Sequence, residues 1–279
     1  MDRAEQKRRA EGFLALHRGP RILVLGNVWD VASAVVFEQA GFAALGTSSA
    51  GIAYAHGHPD DEGMPREVMI DAVRAIAARV NIPVSADMLT GYGATPEAVA
   101  ETCRRVLEAG VIGVNLEDSA PGGGRALADA VLQREKLRTV RAMADAYGVP
   151  LVVNARTDSY WLKLGDASTS LRTSIERANA YREAGADCLF VPGALDPATI
   201  RTLVREIDGP VNILAMPGCP PVAELEQLGV RRVSQGSGPA RAAIRTAQTI
   251  ARELLDRGTY SSYHDAAVSY PDANALFNR

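Results

Sequence analysis

The chain has 279 residues, of which 47% are apolar and 23% are charged, with a formal net charge of −3. This composition is typical of a globular protein with a large core, and the balanced charge predicts neither nucleic acid nor a membrane surface as a partner. No apolar run is long enough to cross a bilayer, and Cys103, Cys188 and Cys219 lack the spacing of a disulfide or zinc framework. We therefore expect a cytoplasmic protein with reduced thiols.

In chain order, the pattern begins with a helix over residues 1–18 and then repeats one unit. Each unit is an amphipathic helix, a glycine near its end, and a short apolar strand. Glycine in that place, as at Gly41, Gly110 and Gly148, is typical of a helix that ends in the left-handed conformation. The repeat predicts eight strands, near residues 22–26, 43–47, 82–86, 112–116, 151–155, 188–191, 211–214 and 231–234.

Eight buried apolar strands that alternate with helices, such as those over 65–80 and 95–109, predict a (β/α)8 TIM barrel. A doubly wound open sheet is the alternative, but the dinucleotide motif GxGxxG is absent after the first strand. We expect one domain over residues 1–279, in which a helix over 239–255 closes the barrel.

A helical tail follows over residues 258–279. Five large apolar or aromatic residues in this tail predict an oligomer interface rather than a solvent-exposed end, although the tail packing back on its own barrel is the alternative. They are Tyr263, Val268, Tyr270, Leu276 and Phe277.

Charged side chains follow three neighbouring strands of the predicted barrel, at the ends where barrel enzymes place their active sites. Asp87 and Glu117 close strands three and four, and Arg156 closes strand five. Acidic groups at one rim predict a divalent cation, and an arginine there predicts bidentate binding of a carboxylate or phosphate. Two other roles stay open: Asp87 could cap the next helix or hold the 91–93 turn, and Arg156 could be an ion-pair partner of Glu117 or Asp158.

The positions of the lysines and histidines argue against a Schiff-base mechanism and against a histidine metal site. The three lysines, Lys7, Lys136 and Lys163, lie outside the predicted strands, so a Schiff-base mechanism is not expected. His56 and His58 have no third metal ligand nearby and are interpreted as loop residues. Carbonyl activation is therefore expected from a metal or from hydrogen bonds.

Taken together, the strand ends resemble the isocitrate lyase / phosphoenolpyruvate mutase superfamily. The resemblance extends over nearly the whole chain and is carried by GNVWD, TSSAGIA, GHPDDE, VSADMLTGYG, VNLEDS, VNARTDSY, DCLFVPG and NILAMPG. It implies a TIM barrel whose eighth helix is exchanged between subunits of a homo-oligomer, either a dimer or a dimer of dimers (a homotetramer). It also implies Mg²⁺, with Mn²⁺ as a substitute, and a small α-oxo or α-hydroxy carboxylate that passes through an enolate.

The resemblance also implies roles for individual residues. Asp87 matches the direct metal ligand, while Asp60 and Glu117 match acids that act on the metal through water and are catalytic. Arg156 matches a catalytic arginine that binds the α-oxo acid. The residues expected to bind substrate are Ser48, Ser49, Ala50, Gly51, Arg156 and Asn212.

Two features depart from the family pattern. Leu89 stands where the family commonly has a second acid, which predicts weaker metal binding without loss of the site. The expected flexible lid, residues 119–125, has no Cys, Lys or His, whereas the C–C lyases carry a Lys-[Lys/Arg]-Cys-Gly-His run and the phosphonate mutase carries a Lys and an Asn.

Three functions follow as hypotheses. The first is an Mg²⁺-dependent C–C lyase that acts on an α-oxo or α-hydroxy di- or tricarboxylate by decarboxylation or retro-aldol cleavage. The second is a P–C or C–O bond hydrolase or phosphonomutase with Asp60 as nucleophile or base. The third is a non-catalytic protein that binds α-oxo acids.

Overall fold

Eight parallel strands close into a barrel in the computed structural model, which describes residues 2–120, 124–264 and 267–278. The strands are β1 Leu23–Val28, β2 Leu45–Thr47, β3 Val84–Asp87, β4 Gly113–Glu117, β5 Val152–Arg156, β6 Cys188–Phe190, β7 Val211–Leu214 and β8 Arg232–Ser234. Each strand pairs with its neighbour in the chain, and β1 also pairs with β8, with Leu23 opposite Arg232. The predicted TIM barrel is confirmed, and the open sheet is wrong because the barrel has no edge strand.

Helices precede, connect and follow the strands. They are α1 Arg3–Leu16, α2 Val31–Gln39, α3 Ser49–Ala55, α4 Arg66–Arg79, α5 Pro96–Glu108, α6 Ala130–Tyr147, α7 Ala167–Glu183, α8 Pro197–Glu206, α9 Val222–Gln227, α10 Gly238–Arg257, α11 Ser261–His264 and α12 Tyr270–Ala275.

The helix ends follow local sequence rules. The glycines that precede the strands have left-handed φ angles between 81° and 104°, at Gly41, Gly110, Gly148, Gly185 and Gly229. Thr95 caps α5 by accepting a hydrogen bond from the backbone N–H of Ala98, and Pro96 occupies the first turn. These short-range signals explain why the predicted strands lie within two residues of the observed ones.

The amino-terminal helix α1 packs against the barrel near the start of β4. Phe13 is fully buried there, and a Cβ atom on Gly113 would lie 2.8 Å from the Phe13 ring. Only glycine fits at this contact, because such an approach is far inside normal van der Waals distance. The interior above it also holds a buried arginine, Arg232 on β8.

The helix after β8 does not close the barrel, so that expectation is wrong. Of the twenty residues of α10, only Ala240 is buried, and the helix keeps apolar side chains in solvent. Ile244 is 42% exposed, Leu254 54% and Leu255 85%. The tail touches its own barrel through polar contacts, in which Arg79 Nη2 donates to the carbonyl of Phe277 at 2.9 Å. In a single chain this apolar surface is exposed to solvent, which is typical of a protein interface.

No helix in the described part of the chain is both long enough and apolar enough to cross a bilayer.

Candidate active site

The carboxyl ends of the strands surround a cavity of about 590 Å³. Most of the residues that the sequence assigned to the site line this cavity, namely Ser48, Ser49, Ala50, Asp60, Asp87, Glu117 and Arg156. Gly51 and Asn212 are not in the part of the cavity wall that the structure describes. The barrel therefore brings together groups that lie as far as 108 residues apart in sequence.

One serine hydroxyl joins the acidic loop after β2 to the end of β3. Ser49 Oγ lies 3.0 Å from Asp87 Oδ2 and 3.1 Å from Asp60 Oδ1. A hydroxyl has one proton to donate, so it can serve only one of the two carboxylates at a time. The Ser49 backbone N–H also donates to Asp87 Oδ2 at 3.4 Å, and the two like charges repel each other. Desolvation, and then the Asp87 carboxylate, raise the pKa of Asp60 above its usual value. A cation beside both carboxylates would remove this repulsion.

Glu62 holds the loop after β2 against the turn after β3. Its Oε1 accepts hydrogen bonds from Thr90 N at 3.1 Å, Thr90 Oγ1 at 2.6 Å and Tyr92 N at 2.9 Å. The alternative roles considered for Asp87 are therefore wrong, because Glu62 holds this turn and Thr95 caps α5. The Asp87 carboxylate is left to face the cavity.

Leu89 occupies a strained position at the cavity wall. Its φ angle is +53°, in the left-handed region that costs a side-chain-bearing residue about 1–2 kcal/mol. The side chain is only 7% exposed, and its carbonyl accepts from Glu117 N at 2.9 Å. The position where the family commonly places a second acid is thus apolar, packed and tied to β4.

A buried ion-pair network crosses the ends of β4 and β5. Arg156 Nη1 lies 2.9 Å from Glu117 Oε2, and Arg156 Nε donates to Asp158 Oδ1 at 2.6 Å. Arg156 is therefore an ion-pair partner of both acids, and its predicted binding of an anion stays a prediction. Its Nη2 has no protein partner in the described part of the chain, so one prong of the guanidinium remains for a ligand.

Glu117 is the site residue with the most unusual protonation. Burial raises its pKa to about 8, although Arg156 favours the charged form, and the nearby carboxylates add to the rise. Burial opposes the charge of Arg156, but Glu117 and Asp158 overcome this and raise the arginine's pKa. At neutral pH Arg156 is charged, while Glu117 can hold or release a proton, as a catalytic acid or base requires.

Ser119 at the cavity wall and Asp118 behind it fix Asp158 and thereby orient Arg156. Asp158 Oδ2 accepts from Ser119 Oγ at 2.5 Å, and its backbone N–H donates to Asp118 Oδ1 at 2.9 Å. Asp118 is fully buried and also accepts from Tyr181 OH at 2.7 Å. This chain of contacts leaves the guanidinium little freedom, which suits recognition of a planar anion.

The expected carboxylate-binding loop, residues 48–51, forms the start of α3. Ser48 Oγ accepts from Gly51 N at 3.1 Å and so caps the helix, which engages that N–H within the protein. The Ser49 hydroxyl is directed to Asp60 and Asp87. The backbone N–H of Ala50, at the cavity wall, is therefore the donor of this loop that a ligand could use.

Asn212 lies in the core and not in the described cavity wall, so its predicted contact with substrate stays a prediction. It is fully buried on β7, and its amide exchanges hydrogen bonds with Ser234 Oγ at 3.3 and 3.4 Å. The sequence placed it at a strand end, but the following residue pair, Ile213 and Leu214, continues the strand beyond it.

The donor set fits a hard divalent cation such as Mg²⁺. No three His, Cys, Asp or Glu side chains of the described residues converge tightly enough to enclose a metal by themselves. Mg²⁺ usually keeps several waters and takes only one or two carboxylates, so a single direct ligand with acids at water distance is a suitable set. The carboxylates of Asp60 and Asp87, which share one hydroxyl donor, supply that arrangement.

Several residues of the cavity wall were missed from the sequence. Among them, Trp161 and Arg241 line the cavity, Asn115 lies on β4, and Glu62 holds the acidic loop. The Arg156 guanidinium lies 5.7 Å from the Trp161 ring centre. Glu62 could have been found from the DDE run that contains Asp60, whereas the other three carry no local signal.

The predicted lid lies beside this wall. Ser119 bridges Leu127 in antiparallel fashion, and Arg125 Nη2 donates to the Leu162 carbonyl at 2.9 Å. Residues 121–123 of the lid are outside the described residues.

The barrel is closed and carries acidic residues, a fixed arginine and two carboxylates that share one hydroxyl at the carboxyl ends of its strands. These features define a TIM-barrel protein with a polar cavity at the end where barrel enzymes place their active sites. Residues 13–255 match the phosphoenolpyruvate phosphomutase family. The chain belongs to this family, within the isocitrate lyase / phosphoenolpyruvate mutase superfamily of lyases and mutases, and it is an enzyme.

Individual relatives support the same assignment. Protein Rv1998c of Mycobacterium tuberculosis (strain ATCC 25618 / H37Rv) is 38% identical over 244 residues, covering 88% of this chain and 89% of that protein. The 2-methylisocitrate lyase of Halalkalibacterium halodurans is 30% identical over 291 aligned positions, covering 97% and 93%. A solved structure from Burkholderia cenocepacia J2315 is 36% identical with a TM-score of 0.92, covering 99% of this chain and 98% of that one.

Proposed function

We propose that the protein is an Mg²⁺-dependent lyase that cleaves a C–C bond of a small α-oxo or α-hydroxy di- or tricarboxylate through an enolate. One observation carries the proposal: Asp60 and Asp87 converge on one hydroxyl, beside a cavity that Arg156 also lines. This arrangement supports a cation site and an anion site within one cavity. Mn²⁺ is a suitable substitute, because the ligands are carboxylate oxygens and water.

The charge balance of the cavity wall explains why a cation is needed. Six acidic residues line its described part, against two arginines, Arg156 and Arg241. An anionic substrate would be repelled from such a wall unless a divalent cation offset the negative charge. Bound there, the cation supplies Lewis acidity that stabilises negative charge on the substrate's 2-oxygen.

Each residue then has a distinct task. Asp87 would hold the cation directly, and Asp60 and Glu117 would act on it through water. Arg156 binds the carboxylate beside the 2-oxygen through Nη2, with the Ala50 N–H as a second donor. Glu117, with its pKa raised to about 8, can give up or take back the proton that the bond-breaking step moves.

Arg241 supports a substrate with more than one carboxylate. It lies on the first turns of α10 at the cavity wall, on a different strand-end segment from Arg156. The positive charge of Arg241, in addition to that of Arg156, suits a substrate with a second anionic group, as in a dicarboxylate. The relation to a 2-methylisocitrate lyase supports C–C cleavage as the bond-breaking step.

The second candidate is a P–C or C–O bond reaction on a phosphoenolpyruvate-like substrate. The family match to a phosphomutase favours it. The lid sequence argues against it, because residues 119–125 contain neither the lysine nor the asparagine expected of that reaction. Membership of a family of enzymes weakens the third hypothesis, a non-catalytic binding protein.

The proposal is tested by turnover of a panel of α-oxo and α-hydroxy acids, with and without Mg²⁺, that includes phosphonopyruvate. Mg²⁺-dependent release of pyruvate or a related oxo acid is the expected result, and Asp87→Ala should abolish it. The matched control is Asp71→Ala, which removes an exposed acid on α4 that pairs with Arg74. Phosphate release from phosphonopyruvate would favour the second candidate, and unchanged activity of Asp87→Ala would remove Asp87 from the site.

We also propose that the protein is a homo-oligomer, a dimer or a dimer of dimers, in which α10 packs on a neighbouring barrel. The exposed apolar residues of α10 and the tail support this, since they would otherwise face solvent in each chain. They are Ile244, Leu254, Leu255, Tyr260, Tyr263, Val268, Tyr270 and Phe277.

A further inference from the structure

A buried arginine lies inside the barrel, outside the ion-pair network described above. Arg232 on β8 is only 1% exposed, and no Asp or Glu of the described chain forms an ion pair with it. Burial lowers its pKa from the usual value, which the neighbouring Cys188 and Asp87 partly oppose. A buried charge without an ionic partner is costly, so its presence calls for a function.

Two neutral acceptors hold this guanidinium. Below it, His17 Nδ1 lies 2.9 Å from the Phe13 carbonyl, so that nitrogen carries the proton and Nε2 is free to accept from Arg232 Nη1 at 3.4 Å. Burial, followed by the charge of Arg232, lowers the pKa of His17 to about 3 and keeps it neutral. Above it, Arg232 Nη2 donates to Asn115 Oδ1 at 3.2 Å.

The contact with Arg232 decides which way the Asn115 amide faces. Asn115 Oδ1 also accepts from Asn154 Nδ2 at 2.8 Å. Arginine can only donate, so the amide oxygen must point to it and the amide nitrogen must point away. Asn115 lines the cavity, and its Nδ2 has no protein acceptor in the described part of the chain.

The position of Asn115 on β4 puts its side chain next to strand positions that carry site carboxylates. Its Cα pairs in register with that of Asp87 on β3, and Glu117 follows two residues later on the same strand. An amide N–H₂ is a neutral donor among acidic groups, and it offers a hydrogen bond to an anion without adding to the repulsion.

We infer that Asn115 donates a hydrogen bond from the cavity wall to an oxygen of the bound α-oxo acid, and that Arg232 is the positioning residue that fixes its amide. This inference rests on the proposed function. The substrate-facing contact belongs to Asn115, while Arg232 acts only through it. Neither residue was assigned a role from the sequence.

The test measures oxalate binding in the presence of Mg²⁺ by calorimetry, together with the melting temperature of each variant. Oxalate serves as the probe because it is a small, planar mimic of an enolate. Asn115→Asp replaces the donor with an acceptor and should weaken binding by roughly 10–100-fold, the loss of a hydrogen bond to a charged group. Its carboxylate can pair with Arg232, so the variant should fold.

Arg232→Met distinguishes a positioning role of Arg232 from a role in stability alone. Replacing a buried charge by an apolar side chain is often neutral or stabilising, so its melting temperature should stay equal or rise. Oxalate affinity should nonetheless fall by roughly tenfold or more, because without Arg232 the Asn115 amide can turn over and present its oxygen to the cavity. The Asn154 amide can turn with it and keep their mutual hydrogen bond, so Asn154 alone does not fix the orientation. Arg232→Lys keeps a group that can only donate and should restore affinity to within about threefold of wild type.

His17→Phe is the control for a purely structural network. It removes the acceptor below Arg232 but leaves the Asn115 contact, so stability should fall while oxalate affinity stays unchanged. Wild-type affinity in Asn115→Asp or in Arg232→Met would overturn the inference, as would an equal loss of affinity in His17→Phe. If the wild-type protein itself binds no oxalate with Mg²⁺, the proposed function fails, and this inference fails with it.

Discussion

Replacing Leu89 by aspartate tests how the missing second acid affects the stability of the protein and its affinity for Mg²⁺. Leu89 lies two residues after Asp87, lines the cavity and is 7% exposed. Because the side chain is both packed and at the wall, a carboxylate there would lose apolar burial and gain access to the cation. The two effects have opposite signs, and they separate when stability and metal binding are measured independently.

The magnitudes follow from the local structure. Losing the burial of a leucine costs about 1.5–3 kcal/mol. Aspartate tolerates the left-handed φ of +53° better than leucine, which returns about 1 kcal/mol. Repulsion from Asp60 and Asp87 adds to the cost without metal, so Leu89→Asp should lose about 1–3 kcal/mol and melt about 2–10 °C lower. With the cation present, affinity for Mg²⁺ should rise by roughly 10–100-fold.

Thermal unfolding and calorimetric titration with Mg²⁺ measure the two effects. Leu89→Asn is the matched control, because it has the same shape and the same tolerance for positive φ but no charge. It should lose stability without tightening Mg²⁺. Magnesium affinity in Leu89→Asp that equals or falls below that of wild type would refute the reasoning, and would show that the Leu89 side chain is directed away from the cation.

Three further predictions concern the arginine, the buried acid and the tail. Arg156→Lys keeps the charge but loses the planar fork, so KM for an α-oxo acid should rise at least tenfold, measured by steady-state kinetics. Glu117 has a pKa raised to about 8, so apparent Mg²⁺ affinity should increase with pH from 6 to 8, by up to about tenfold per unit, and level off above 8. Calorimetry at several pH values checks this. Truncation after Gly258 should give smaller or aggregating species by light scattering, because the tail supplies part of the exposed apolar surface.

Each of these has an outcome that contradicts it. Equal KM in Arg156→Lys would limit Arg156 to charge or stability. Glu117→Gln cannot titrate and should show a flat pH dependence of Mg²⁺ binding, so a profile unchanged from wild type would assign the effect to another group. A truncated protein that keeps the full oligomeric state and full activity would contradict assembly through the tail.

The sequence by itself determined the order and type of the elements. Apolar strands, helix caps such as Thr95 and left-handed glycines such as Gly148 act over a few residues, so their signals are complete within a short window. The strand-end rule then placed Asp87, Glu117 and Arg156 at one rim before any contact was known.

Only the tertiary structure decided which partners these groups have. The Ser49 hydroxyl meets two carboxylates from different loops, and Arg232 meets Asn115 across 117 positions of the chain. Such contacts depend on barrel closure and on side-chain direction across the interior, and neither is encoded in local spacing. The course of α10 was decided in the same way: its apolar face is visible in the sequence, but whether the helix covers its own barrel depends on what else packs there.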